Sequence, residues 1–171
     1  SSLRAHSHTG AMGQLNYDSI GVGAGVGALL KLAGKTNYFK FNAAAEVFNP
    51  KREYAPKITN KAKFENLKAQ AWRDVADRLR NTYNAVTKGL IFTADQMISI
   101  SSDMKLIDEL KSELCEPHSD YSRRGLDIVE SKKEVKKRLL KSHDLSDAFI
   151  MGACPHLVKR ESLSRPTMSM F

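Results

Sequence analysis

The sequence predicts an α/β fold, and three patterns along the chain indicate it. First, a short apolar run from Leu15 ends in Asp18 and precedes a glycine cluster, which is typical of a buried strand that turns tightly into a helix. Second, residues 38–45 alternate in polarity and predict another strand. Third, apolar residues recur every three or four positions between Ala62 and about Lys88, which predicts a long amphipathic helix. Strands and helices that alternate in this way are typical of a sheet covered by helices.

Asp18 is the first candidate site residue because it closes the predicted strand. Ligands in open α/β sheets bind at the carboxyl ends of the strands. The glycines behind the strand indicate a close-packed turn that lets the backbone leave the strand beneath Asp18. They stand at alternate positions: Gly21, Gly23, Gly25 and Gly27.

Periodicity, caps and helix breakers predict the remaining elements. In chain order we expect a helix over 28–33, a basic loop over 49–61, a helix over about 105–114, a strand or hairpin over 120–130, a basic helix over 131–140 and a last helix within 142–153. The basic residues in and beside the loop are Lys51, Arg52, Lys57, Lys61 and Lys63. The pattern predicts one domain over residues 1–154 and a mobile C-terminal extension over 155–171.

The composition favours an anionic partner. The chain of 171 residues has a formal net charge of +8 and a pI near 9.5, so nucleic acid is the first expectation and a membrane surface the second. No apolar run approaches the ~20 residues of a spanning helix, and the N-terminus lacks the apolar core of a signal peptide. We therefore expect a soluble, intracellular protein.

Cys115 and Cys154 are far apart and are predicted to be buried small apolar residues.

Two nucleotide-binding motifs nearly match, and both fail. Gly34-Lys35-Thr36 ends like a phosphate-binding loop, but Leu29 stands where that motif needs glycine. Residues 23–28 fit the relaxed dinucleotide pattern, yet no acidic residue follows at the distance a ribose needs. Asp18 would also place a negative charge beside a pyrophosphate. A dinucleotide enzyme is therefore the least favoured of the functions considered.

Carboxylates together with a basic surface indicate metal-dependent phosphodiester cleavage. Asp144 and Asp147 stand three residues apart, so both lie on one side of the first turn of a helix. The same acids also fit a simpler structural role, an N-cap and a first-turn acid that suit the helix dipole. Two divalent metals need several carboxylates, and hard oxygen ligands select Mg²⁺ or Mn²⁺. Lysines and arginines around an acidic pocket would hold a duplex by its phosphates.

Three segments resemble the nuclease domain of phage terminase large subunits. Residues 17–26 are similar to the family's motif around its second catalytic aspartate. Residues 130–138 with 142–149 resemble the end of that domain, where the last catalytic aspartate opens a helix. A landmark between them resembles the helix that contains Asn66, Lys68, Ala69, Gln70, Ala71, Trp72 and Arg78. The resemblance spans roughly residues 15–154 in the family's order.

The resemblance implies a ribonuclease H-like mixed sheet flanked by helices and an endonuclease that cuts concatemeric viral DNA during packaging, using two Mg²⁺ or Mn²⁺ ions. It implies Asp18 as a catalytic metal ligand and either Asp147, slightly favoured, or Asp144 as the last one. The expected DNA-binding residues are Lys132, Lys133, Lys136, Lys137, Arg123 and Arg124. The expected partners are double-stranded DNA, the terminase small subunit and the portal, with no membrane, in the host cytoplasm.

One departure from the family's pattern leaves two functions open. The family's first catalytic aspartate lies on an opening strand, and residues 1–14 contain no acid. Either a preceding segment supplies that aspartate, or the chain cannot form the complete two-metal site. The family's ATPase motor is absent too, in agreement with the failed phosphate-loop match. The alternative function is a non-catalytic DNA-binding module of the same fold.

Overall fold

Two parallel strands and the helix between them form the first unit of the fold. The computed structural model describes residues 15–19, 25–35, 38–140 and 143–157. Strand β1 (Leu15–Asp18) pairs in parallel with β2 (Tyr38–Phe41), and α1 (Val26–Leu32) lies in the crossover that a parallel pair requires. Asp18 pairs with Phe41 at the last position of the ladder, so it closes its strand as predicted.

The glycine cluster behind β1 is described only in part. Gly21 and Gly23 lie outside the described residues. Gly27 lies in α1, where a β-carbon would collide with the hydroxyl oxygen of Tyr17. Tyr17 is buried in β1, so this glycine permits a close approach between strand and helix. The predicted close packing is confirmed at Gly27.

Helix α3 (Leu67–Lys88) is the longest described element and carries the core along one side. The side chain of Asn66 accepts a hydrogen bond from the N–H of Ala69 at 3.0 Å and caps the first turn. Gly89 ends the helix with a φ of 65°, a left-handed conformation that favours glycine. The predicted end of this helix at Lys88 is confirmed.

The start of the predicted long helix is wrong. Residues Asn60–Lys63 form a separate short helix, α2, and Phe64 then adopts an extended conformation. Phe64 is buried and forms a β-bridge to Asp127, a residue far along the chain. Tertiary packing therefore interrupts the helical periodicity at Phe64, which the sequence pattern counts as part of the helix.

A β-hairpin occupies most of the segment predicted to be a loop. Strands β3 (Glu53–Ala55) and β4 (Ile58–Thr59) pair antiparallel on either side of Pro56 and Lys57. Strands this short show no alternation of polarity, and prolines indicate turns rather than strands. The loop prediction over 49–61 is therefore wrong, although the segment is as basic as the sequence shows.

The second half of the chain follows the predicted order. It contains α4 (Ile107–Cys115), an antiparallel pair of β5 (Ser119–Tyr121) and β6 (Asp127–Val129), α5 (Lys132–Leu139) and α6 (Asp144–Ala153), with short 3₁₀ helices at Ala94–Gln96 and Pro155–Leu157. A capping box starts α5, because Ser131 and Glu134 each accept the other's backbone N–H. The described strands form three separate two-stranded sheets. None of the described helices has the length and apolar character to cross a membrane.

The main core lies between α3, α6 and the strand pair β1–β2. Its buried members are Phe39, Phe41, Leu67, Ala71, Val75, Ile150, Cys154 and Leu157. Packing thus continues past residue 154 into the predicted extension, whose residues 158–171 lie outside the described chain.

Cys154 is buried as predicted, but Cys115 is exposed. The prediction for Cys115 is wrong because this residue ends α4 away from the face on which Leu110 and Glu113 are buried.

Side chains from two other elements hold the last turn of α6. The amide of Asn16 on β1 donates to the carbonyl of Met151 at 2.7 Å. The guanidinium of Arg78 on α3 donates to the carbonyl of Ala153 at 2.8 Å and to that of Met97 at 3.2 Å. The last carbonyls of a helix have no partner within the helix, so these donors replace solvent there. They fix α6 against α3 and β1.

We expect Arg78→Ala to lower the free energy of unfolding by about 2–3 kcal/mol, because two partly buried carbonyls lose a charged donor. Arg80→Ala is the matched control on the same helix. Arg80 pairs with Asp77 at 2.8 Å but is 58% exposed, so its loss should cost less than about 0.5 kcal/mol. Urea denaturation of both variants checks the difference, and equal losses would contradict the anchoring role of Arg78.

Candidate functional site

The first turn of α6 carries both aspartates that the sequence singles out. Asp144 begins the helix, and Asp147 follows three residues later. Side chains at this spacing share one side of a helix, as predicted, and negative charge is favourable at a helix N-terminus. The Asp144 side chain is 76% exposed and the Asp147 side chain 29%. Asp147 therefore lies deeper in the site than Asp144.

Lys132, the first residue of α5, joins the two aspartates. Its Nζ lies 2.5 Å from Oδ1 of Asp144 and 3.4 Å from Oδ2 of Asp147. Partial burial alone would lower the pKa of Lys132, but the hydrogen bond to Asp144 and the charge of Asp147 outweigh burial and raise that pKa. The sequence predicts Lys132 as a DNA ligand, whereas the structure places its ammonium group on the acids.

A second lysine lies beside this cluster. Lys68, near the start of α3, donates from Nζ to the carbonyl of Glu130 at 2.8 Å, with Nζ 5.9 Å from the ring centroid of Trp72. Burial lowers the pKa of Lys68, and the charge of Asp147 opposes that shift. Two lysines from different helices therefore contribute positive charge around Asp147.

Strand β1 places Asp18 on an element that contacts α6. Asp18 is exposed at the end of the strand. Two residues earlier, Asn16 makes its hydrogen bond to Met151 of α6. The strand that carries one predicted ligand and the helix that carries the other two are therefore neighbours. The joint action of the three carboxylates stays a prediction.

The donor type at the site fits a hard divalent cation, but the number of donors is too small. Carboxylate oxygens are the ligands that Mg²⁺ and Mn²⁺ prefer. Over residues 15–19, 25–35, 38–140 and 143–157, no three His, Cys, Asp or Glu side chains are grouped so that they could hold a metal ion. Asp144 and Asp147 supply carboxylate oxygens from a single helical turn, and the ammonium group of Lys132 contacts both side chains. A complete centre needs at least one further ligand.

The predicted DNA-binding cations differ in the contacts that they make. Arg124, at the tip of the β5–β6 hairpin, is engaged with Glu65 at 2.7 Å. The other predicted DNA-binding cations are exposed and form no ion pair with any described residue: Arg123, Lys133, Lys136 and Lys137. The last three lie on α5 immediately after Lys132, so one helix carries both the counter-charge of the acids and free cations.

Residues that position α6 are missing from the sequence-based prediction. Glu113 on α4 is buried, and its carboxylate accepts a hydrogen bond from the N–H of Ser146 at 2.8 Å. Glu116, just after α4, pairs with Nε2 of the buried His143 that precedes α6. The only signal for Glu113 is its position three residues after Leu110, on the apolar face of α4. Nothing in the sequence pairs either glutamate with α6.

Comparisons with known proteins bear on this geometry. No protein-family model matches the chain, and no curated protein does either. Among solved structures, the nuclease domain of the large terminase subunit gp2 of bacterial virus Sf6 is similar, with a TM-score of 0.75, 30% identity, and coverage of 81% of this chain and 63% of that one. The fold is that of a terminase nuclease domain.

Mutant forms of the same Sf6 domain agree with this result. One with manganese has a TM-score of 0.74 and 28% identity, covering 81% of this chain and 64% of that one. Another with calcium has a TM-score of 0.74 and 29% identity, covering 81% of this chain and 63% of that one. The resemblance inferred from the sequence is confirmed, and so is the fold class. The chain spans about 63% of the length of the terminase domains it matches.

An ion pair beside the site joins the last turn of α5 to Glu130, which follows β6. Arg138 donates to the carboxylate of Glu130 at 2.7 Å, and the backbone N–H of His118 donates to the same carboxylate at 3.1 Å. These two donors, Arg138 first, lower the pKa of Glu130 to about 2. The contacts join the β5–β6 hairpin to the helix that carries Lys132.

The Glu130 pair should make stability fall in acid. The carboxyl of Glu130 has a pKa of about 2 in the folded chain against 4.5 ordinarily, so its contribution is complete above about pH 4.5 and is lost as the pH falls toward 2. We expect Arg138→Gln to be less stable than the wild type at pH 6, and the gap to narrow below about pH 4.5. Urea denaturation at several pH values checks this, and a gap that stays constant down to pH 3 would contradict it.

Proposed function

We propose that this chain is a metal-dependent endonuclease domain that cuts double-stranded viral DNA concatemers during genome packaging. The observation that carries the proposal is the likeness in fold and sequence to the Sf6 terminase nuclease domain. The net charge of +8 supports a polyanionic substrate. The terminase small subunit and the portal are proposed partners, and the host cytoplasm is the proposed location.

Asp18, Asp144 and Asp147 are the proposed metal ligands. Their oxygen donors suit Mg²⁺ or Mn²⁺, and the terminase relatives with manganese and calcium support a divalent ion. When bound, such ions supply Lewis acidity and an activated water for phosphodiester hydrolysis. Lys132 pairs with both Asp144 and Asp147, so a bound cation would take its place beside these carboxylates.

The free cations of α5 are proposed to hold the duplex. Lys133, Lys136 and Lys137 project from the helix whose first residue touches the acids, so phosphates bound there would lie close to the site. Lysine contacts to phosphates carry no sequence information. The proposed enzyme therefore cuts with little sequence preference.

A non-catalytic DNA-binding module is the second candidate, because no three-ligand metal cluster forms among the residues that the structure describes. Such a module would bind DNA with strong salt dependence and leave it intact. Both candidate functions predict DNA binding, but only the nuclease predicts cleavage.

We expect plasmid cleavage with millimolar Mn²⁺ to fall about 100-fold or more in Asp18→Asn and in the double variant Asp144→Asn with Asp147→Asn, because each change removes metal ligands. Asp103→Asn, an exposed acid in the loop before α4, is the matched control and should cut normally. Undiminished cleavage by the site variants would overturn the nuclease proposal. Salt-sensitive binding without any cleavage by the wild type would favour the binding module.

A further inference from the structure

The hairpin of β3 and β4 forms a second basic surface that the proposed site does not use. We name residues 49–63 the basic hairpin. It holds one acid, Glu53, against five basic residues: Lys51, Arg52, Lys57, Lys61 and Lys63. This excess of positive charge lies on a folded element rather than on a flexible loop, because β3, β4 and α2 pack on one another.

Three of these cations are free for a partner. Lys63 pairs with the buried Asp127 at 3.0 Å, and Lys61 lies 3.7 Å from Glu46. The remaining cations are exposed and form no ion pair within the part of the chain that the structure describes: Lys51, Arg52 and Lys57. A folded surface that leaves its cations unneutralised is complementary to a polyanion.

Lys57 has a backbone conformation that favours glycine or asparagine. It follows Pro56 in the two-residue turn of the hairpin and has a φ of 66°. Turns with proline at the second position and a positive φ at the third favour glycine or asparagine there. A lysine held in this conformation costs folding free energy, and such costs concentrate at functional positions. Lysine is therefore not the residue that would stabilise this turn most.

The basic hairpin is fixed to the body of the domain. The hydroxyl of Tyr54 donates to Asp77 of α3 at 2.7 Å, and its ring packs edge-on against Phe64 with centroids 5.1 Å apart. Burial and the bond to Asp77 raise the pKa of Tyr54 to about 12, so the phenol remains a donor. The buried amide of Asn60 donates to the carbonyls of Phe48 and Asn49, both at 3.0 Å. Because the backbone beneath these cations is already fixed, binding orders only their side chains.

The basic hairpin and α5 are connected through β6. Phe64, directly after the hairpin, is bridged to Asp127, the first residue of β6. Lys132 follows Asp127 by five residues, a stretch that reaches at most about 18 Å when extended. Phosphates along one strand of duplex DNA repeat about every 3.4 Å, so this reach corresponds to about five base-pair steps. The C-terminal end of the basic hairpin and the start of α5 are therefore close to each other on the domain.

We propose that the basic hairpin is a second contact for double-stranded DNA, in which Lys51, Arg52 and Lys57 bind backbone phosphates away from the cutting site. The inference rests on the proposed function for its polyanion, and it adds a second binding surface for the duplex. Lys57 at the turn tip reaches the phosphate farthest from the body of the domain. Contacts of this kind fix position on the duplex without reading its bases.

The test measures binding alone, so that it stands apart from cleavage. A labelled short duplex is titrated with the full chain, without divalent metal, at salt from about 50 to 200 mM. The variant with Lys51→Gln, Arg52→Gln and Lys57→Gln is expected to bind about tenfold or more weaker at low salt, with the slope of log affinity against log salt reduced by about 2.7 for three lost phosphates. The control variant, with Lys88→Gln, Lys105→Gln and Lys111→Gln, loses the same charge elsewhere and should bind as the wild type.

A single substitution separates binding from folding. Lys57→Gly relieves the left-handed turn, so it should leave the melting temperature unchanged or higher while affinity falls, and Lys57→Arg should keep the affinity. Equal binding by the hairpin and control variants would overturn the hairpin contact and leave the nuclease proposal untouched. A wild type that fails to bind DNA at low salt would also overturn the hairpin contact, and the cleavage assay with Mn²⁺ would still decide the nuclease proposal.

Discussion

The buried hydrogen bond between the carboxylate of Glu113 and the N–H of Ser146 determines where α6 begins. The first N–H groups of a helix have no partner within the helix, and leaving one buried and unpaired costs about 1–3 kcal/mol. Ser146 is fully buried and Glu113 is 4% exposed, so water does not replace this acceptor. The bond sets the register of α6 against α4, and with it the directions of Asp144 and Asp147. The pairing of Glu116 with His143 reinforces the same end of the helix.

Hydrogen bonds at both ends of α6 fix its position along its axis, which apolar packing alone does not do. Burial of apolar surface is roughly proportional to area and tolerates sliding, whereas a hydrogen bond depends on both distance and angle. Asn16 and Arg78 hold the last turn, so α6 is tied to β1, α3 and α4 by different side chains. The carboxylates of its first turn therefore sit on a helix that cannot shift along its axis without breaking buried bonds. This rigidity suits a site in which ligand geometry matters.

The elements that depend on residues close together in the sequence were predicted correctly. The basic helix predicted over 131–140 forms as α5, the strand or hairpin predicted over 120–130 forms as β5 and β6, and Asp144 opens α6 with Asp147 in its first turn. Long-range contacts account for the failures. Phe64 leaves the helical pattern because it pairs with Asp127, and the hairpin at 53–59 owes its form to packing on α3. At the site, the sequence indicates which acids are candidates. It does not indicate that Lys132 pairs with them, because this contact joins two different helices.

The two cysteines allow opening of the domain to be measured by thiol modification. Cys154 is fully buried between α3 and α6, and burial raises the pKa of its thiol, with Asp74 adding to the effect. Cys115 is exposed at the end of α4. A thiol-specific alkylating reagent will therefore modify Cys115 at the rate of an ordinary surface thiol. It will reach Cys154 only when the core around this residue opens, so the rate of the second modification measures how often the core beside α6 opens.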